Sequence, residues 1–210
     1  MRLDHVSYVA SHDQISDVVN RIGSQIGTAF IDGGIHPKFG TRNFTAPLLN
    51  GQYIEVVCPR DHPATDATPF GRAVKKKAEE GGGWLSWVFN VDDISLIEDK
   101  FGRKAVEGNR KKPDGTELRW KQIGVLNILE DSQQPFYVQW ISKDHPSSDG
   151  DAHAEISKIT ISGDSEKILK PLERLEEIFL SKIKVISPYE QQFGLKSVQF
   201  DVNGNKVIIE

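Results

Sequence analysis

One cysteine and one methionine occur in 210 residues. A single Cys excludes a disulfide within the chain, a usage that suits a reducing compartment and points to the cytoplasm. Cys58 lies in the apolar run YIEVVCP and reads as a small buried hydrophobe, not a nucleophile. No window approaches 18 consecutive apolar residues, so no membrane span is expected. The opening MRLDHVSYVASHDQ has neither the apolar run nor the cleavage site of a signal peptide. Positive charge is not in excess either. With 26 Lys and Arg against 30 Asp and Glu, the net charge is −4, which argues against nucleic acid as a partner.

What is present is a globular composition with 38% hydrophobic residues, and 18 Gly and 10 Pro suit many short elements joined by tight turns. LDHVSYVA, residues 3–10, reads as a strand. A helix follows, with Ser11 and Gln14 as a capping box, apolar residues at Ile15, Val18, Val19, Ile22 and Ile26, and Gly27 to close it. FIDGGIHPKFGTRN reads as a glycine-rich loop. FTAPLL and QYIEVVCP then read as strands of a hairpin turning at Asn50-Gly51.

The same order begins again at Trp84. WLSWVFNV reads as a strand and DISLIEDKFG as a short helix capped by Asp92 or Asp93. EGNRKKPDGTE reads as a polar loop, with Arg110 to Lys112 as solvated charges. LRWKQIGVLNIL and FYVQWIS read as strands. The phrases YIEVVCPRDHP and YVQWISKDHP end the two runs. Glu55 follows His5 by 50 residues, and Gln139 follows Trp87 by 52. The pattern is an internal repeat. It divides the chain into a first module at 1–63, a linker at 64–83 holding a short helix with a solvated Lys75–Lys77 face, and a second module at 84–146. A shorter third copy at 151–210 has a strand AEISKITISGD, a helix with Ile168, Leu172, Leu175 and Phe179 on one face, and a final hairpin turning at NGN.

Alternation assigns faces, since every second side chain of a strand shares one. His5 and Glu55 are polar residues inside apolar strands. A buried carboxylate needs a partner or a raised pKa. Binding a divalent metal, pairing with each other, or binding a ligand would each meet that need. With one helix covering one side of each sheet, the other side is free to enclose a cavity, and the fold class is α+β.

LDHVSYVAS, GGIHPKFGTRNFTAPLLNGQYIEVVCPRDHP and GGGWLSWVFNVDDI with RKKPDGTELRWKQIG resemble the glyoxalase-like domain group of the vicinal oxygen chelate superfamily, over roughly residues 1–146 well and the rest loosely. The most specific part is Gly34, His36, Pro37, Gly40, Thr41 and Asn43. The resemblance implies βαβββ modules whose curved mixed sheets pair around a cup, with helices outside. It also implies a divalent metal held from the first and fourth strands of both modules. Carried over, His5 and Glu55 are metal ligands, and the corresponding second-module positions are Trp87 and Gln139. Indole has no lone pair for a metal and Gln no charge, so these positions read as pocket wall. Trp140, one residue on, reads as core on the opposite face. His36 is a possible third donor or a loop histidine holding backbone carbonyls. His62 and His145, in matching Asp-His-Pro turns, read as turn structure.

Two functions lead, ahead of a third, a structural or interaction protein whose cup is filled by its own side chains. One is an enzyme acting on a small molecule, with Glu55 as metal ligand or as general base. The other is a small-molecule binding protein without chemistry. In both, His36, Thr41, Asn43, Tyr53, Trp87 and Gln139 are expected at the ligand. The expected partners are a small molecule, with no nucleic acid and no membrane, and the expected state is monomer or weak homodimer.

Overall fold

The computed structural model describes residues 1–172, 180–188 and 192–210. The first half of its barrel consists of β1 (Arg2–Val9), α1 (Ile15–Ile26), β2 (Ile31–His36), β3 (Thr41–Leu48) and β4 (Gln52–Pro59). In α1, Ile15, Ile22 and Ile26 are buried along one face, and Gly27 at φ 67° ends the helix in the left-handed region. The expected capping box does not form. The helix begins after Gln14 with no side-chain cap, because a backbone hydrogen bond from Gln14 N to Ser11 O closes a turn there instead. β3 and β4 turn at Asn50 and Gly51, with φ of 62° and 66°, as a tight hairpin requires.

After α2 (Pro63–Ala67) and α3 (Pro69–Glu79), the second half repeats the order as β5 (Gly83–Asn90), α4 (Ser95–Phe101), β6 (Val106–Lys111), β7 (Glu117–Ile123), α5 (Val125–Glu130) and β8 (Phe136–Trp140). The eight strands close into a barrel in the order β1-β4-β3-β2-β6-β7-β8-β5. Each half has the same connectivity: its first and fourth strands pair in parallel and the rest are antiparallel. The halves meet along a β1–β5 ladder and, more briefly, where Ile35 of β2 faces Lys111 of β6.

Three expectations are corrected. The glycine-rich stretch at 31–36 and the polar stretch at 106–111 are strands, β2 and β6, not loops. The apolar run after Ile123 leaves its strand at Gly124 (φ 100°) and forms α5. α4 starts after Ile94 with no side chain on its cap, although Asp93 does accept from Ser95 N.

The C-terminal segment, β9 (Ala154–Ser162), α6 (Ser165–Leu169), β10 (Ile183–Ile186), β11 (Gly194–Val202) and β12 (Asn205–Ile209), repeats the element order but not the pairing. Its sheet runs β10-β9-β11-β12, so the first strand lies between the second and third. Asn203 and Gly204, both at positive φ, make the expected final turn. Ile168 and Leu172 are buried as expected, whereas Leu175 and Phe179 lie outside the described residues.

Two apolar clusters hold the molecule together. The larger lies outside the barrel, where α1 and the C-terminal sheet cover it with residues such as Ile22, Ile156 and Phe200 against Val6, Ile54 and Trp87. Trp84 Nε1 donates to Ile209 O at 2.9 Å and ties the last strand to the barrel. The smaller gathers Val9, Val57, Leu85 and Val88 with Phe70 and Val74 of α3 and Ile128 of α5. The segment between the halves therefore helps to fill the barrel rather than merely linking its parts. No helix among the described residues is long and apolar enough to cross a membrane.

Candidate functional site

Strand register decides what the barrel encloses, because residues opposite each other in a ladder project to the same face. His5 faces Tyr53 on β4 and Val88 on β5, and Val88 faces Phe136 on β8. His5, Tyr53 and Phe136 line a cavity of about 430 Å³, counting the part open to solvent. A bulge between Leu3 and His5 frees Asp4 from the ladder.

The polar side of the cavity comes from the first half. Glu55 accepts from Ser7 Oγ at 2.8 Å and from Asn43 Nδ2 at 2.7 Å. Burial opposes its ionisation, but the neighbouring His36 and His5 and these hydrogen bonds outweigh it, so its pKa lies below the ordinary glutamate value. His36 Nε2 stands 3.9 Å from Glu55 Oε1, and its Nδ1 meets Thr41 Oγ1 at 2.9 Å. Burial brings the His36 pKa down to about 4 despite Glu55, so the ring is neutral at pH 7. His5 stacks on Tyr53 with centroids 4.4 Å apart, and burial raises the Tyr53 pKa well above its usual value.

Behind His5 is Asp4, fully buried. Its Oδ2 meets His5 Nδ1 at 3.0 Å and accepts from Trp140 Nε1 at 3.2 Å, and its Oδ1 meets His145 Nε2 at 3.1 Å. Burial would raise the Asp4 pKa, but His145 and His5 hold it far below the usual carboxylate range. An ionised Asp4 only accepts, so Nδ1 of His5 carries a proton, and in the neutral ring the lone pair is on Nε2. His145 is fixed likewise. Its Nδ1 accepts from Ser147 N, which leaves Nε2–H for Asp4.

The second half supplies apolar walls, Phe136, Val138, Trp120 and Trp140, together with Gln122 and one charge, Arg110. Arg110 is 2% exposed. Its Nη1 donates to Asn43 Oδ1 at 3.1 Å, while Nε and Nη2 are buried without a partner. Phe39, from the turn after β2, and Phe70 of α3 complete the wall.

The glyoxalase-like domain family model matches residues 3–176. The chain belongs to this family. A search of curated proteins finds no match. Among solved structures, a hypothetical protein from Staphylococcus aureus is 14% identical with a TM-score of 0.57, over 98% of this chain and 83% of that one. Methylmalonyl-CoA epimerase from Mycobacterium tuberculosis is 13% identical with a TM-score of 0.45, over 66% of this chain and 85% of that one. A variant of the Streptomyces coelicolor epimerase, in complex with 2-nitronate-propionyl-CoA, is 14% identical with a TM-score of 0.44, over 69% of this chain and 99% of that one.

In this glyoxalase-like barrel, His5, His36, Asn43, Tyr53 and Glu55 come together at the cavity. Thr41 stands behind His36 and orients it. Trp87 and Gln139 are displaced from their expected places. Trp87 faces the outer core and donates to Gln133 O. Gln139 bonds Asp92 O and Ile94 N at the start of α4. The residues that face inward are Val88 and Val138, and Trp140 lines the cavity instead of the opposite face. The cause is a one-residue slip in each match, one residue late on the fourth strand (Gln139 for Val138) and one residue early on the first (Trp87 for Val88). Matched on Asp-His-Pro rather than on tyrosine, Tyr53 corresponds to Phe136 and Glu55 to Val138. Arg110, expected in solvent, is inside.

The donors do not fit a divalent metal. No group of three or more His, Cys, Asp or Glu among the described residues is placed to hold one. Both Glu55 oxygens are engaged, the second-half equivalents are valines, and Arg110 already places a fixed positive charge in the same wall. His62 and His145 do share a turn: each caps the backbone two residues on, with Pro following.

Proposed function

We propose that this glyoxalase-like barrel binds a small organic molecule and transfers a proton at it, with His5 as the base. The observation that carries this reading is the buried Asp4–His5 pair in the wall of the cavity. A carboxylate that fixes the imidazole tautomer presents the other nitrogen as a proton acceptor. Arg110 would stabilise negative charge formed as the proton leaves. Glu55, ionised, would balance Arg110 and hold Asn43 between them. The aromatic walls would exclude water and grip an apolar body. Both halves of the barrel come from one chain, so a monomer can provide the whole site.

The aromatic lining also favours a second reading, a binding protein without chemistry. One experiment separates them. Small ketones, 2-oxo acids and hydroxy ketones are incubated with the protein in D2O, and deuterium at the carbon beside the carbonyl is followed by NMR. Exchange that vanishes in His5→Gln and persists after chelator treatment supports proton transfer. Saturable binding without exchange in the wild type establishes the binding protein. Exchange lost on chelation and restored by manganese or zinc overturns the metal-free reading.

A further inference from the structure

We infer that Arg110 is the anchor for a carboxylate, and that the ligand is a monocarboxylate on an aromatic or branched apolar body. This rests on the cavity being the ligand site. A guanidinium does not lose its charge in a protein, and one buried without an ion pair is costly unless something answers it. Among the described residues no carboxylate lies within ion-pair distance of Arg110. Asp149 is engaged by Lys112, and Asp32 by Arg42.

The unpaired atoms are informative. Nη1 is spent on Asn43. The unpartnered Nε and Nη2 carry the two N–H groups that lie side by side along one edge of the guanidinium. That edge is the fork that takes both oxygens of a carboxylate at once. Glu55 is in the same cavity, yet Asn43 keeps it apart from Arg110, giving its Nδ2 to the acid and its Oδ1 to the guanidinium.

The backbone makes room for this arrangement. A Cβ at Gly33 would come 2.3 Å from both Arg110 Nη1 and Asn43 Oδ1. A Cβ at Gly108 would come 2.4 Å from the Trp120 indole, a wall of the same cavity. The glycines therefore admit a charged fork and an aromatic wall side by side. A single cation, with the ionised Glu55 already elsewhere in the cavity, suits one negative charge better than two, and Phe39, Phe70, Phe136 and Trp140 suit an apolar body.

The test uses the full chain labelled with 15N. The Arg110 Nε–Hε signal is assigned by its loss in Arg110→Lys. Benzoate, phenylacetate, 3-phenylpropionate and 4-methylpentanoate are titrated beside phenylacetamide and phenyl phosphate, with affinities from calorimetry. The expected result is a saturable shift of that signal with at least one carboxylate. Its affinity should exceed that of phenylacetamide by about tenfold or more, as a charge-assisted pair implies, and should fall similarly in Arg110→Lys and Gly33→Ala. No saturable shift with any of the four acids overturns the inference, as does equal affinity for the amide or tighter binding of phenyl phosphate. Should Arg110→Lys fail to fold, the acid and amide affinities of the wild type decide it alone. Carboxylate binding at Arg110 without deuterium exchange would leave this inference standing and remove the proton-transfer reading. Exchange with no preference for acids would do the reverse.

Discussion

The two halves of the barrel share a connectivity and differ in what they turn inward. The first presents His5, His36, Asn43 and Glu55, and the second presents Val88, Val138 and a ring of aromatics with one arginine. Where identical chains build a closed interface, both sides carry the same residues. Here both halves lie in one chain and need not match. One half holds the polar network and the other the apolar wall, so the charged groups meet low-dielectric surroundings across the cavity, where each interaction is stronger.

The widest contrast is between the two faces of the second half. Trp87 belongs to the outer core and Trp140 to the cavity wall. Trp87→Ala should cost about 4 kcal/mol, in the range for a buried large-to-small change. Trp140→Ala, partly exposed, should cost less but weaken ligand binding. Urea unfolding of both variants, with ligand affinity measured on the folded fraction, checks this. Equal losses of stability would mean that the inner wall is core after all.

Copying a charge across the barrel should be the next largest effect. Val138→Glu places a carboxylate opposite Glu55's position without the Ser7 and Asn43 donors. An unpaired buried carboxylate should destabilise by about 3 kcal/mol or more. Its pKa would be raised, so the loss should be larger at pH 8 than at pH 5, where protonation relieves it. Denaturation at the two pH values decides. A variant as stable as the wild type at pH 8 would show that the second half can host a charge and was not built against one.

His36 marks the polar half by pH. Its folded pKa is about 4 against an ordinary 6.5. Between these values the unfolded chain binds more protons, so stability falls as pH falls, by up to about 3 kcal/mol. The depressed Asp4 and Glu55 act lower, Asp4 below that window and Glu55 from its acid edge downward: their contribution is present above the unfolded pKa and lost as pH falls further. Stability measured from pH 7.5 to 4 should slope downward in the wild type and flatten in His36→Asn. An unchanged slope would place the titration elsewhere.

Much of the fold was legible in the sequence, because β1, β3, β4, β5 and β8 alternate strongly and Asn50-Gly51 fixes a hairpin. β2 and β6 were not. Gly33, Gly34, Gly108, Asn109 and Arg110 carry no strand signal, and these strands meet only briefly where the barrel closes. Yet they bring His36 and Arg110 to the site. The polar half of the site followed from single polar residues in apolar strands. The other half was missed through phase, since a one-residue slip turns every side chain to the opposite face. The Asp-His-Pro turns, six residues after both Glu55 and Val138, carried the correct register.

Those turns offer the finest comparison. His62 and His145 make the same cap, each accepting from the backbone N–H two residues on. His62 does only that at an exposed site, so His62→Ala should cost about 1 kcal/mol, the usual value of a lost cap. His145 also donates to buried Asp4 and lies edge-on to Tyr53 and Trp140. His145→Ala removes a donor from a buried carboxylate and should cost about 2 kcal/mol or more. The Asp4→Asn background separates the two parts. If the excess belongs to the Asp4 bond, His145→Ala in that background should fall towards the His62 value. If the excess persists in full, ring packing against Tyr53 and Trp140 is what distinguishes the two halves at this turn.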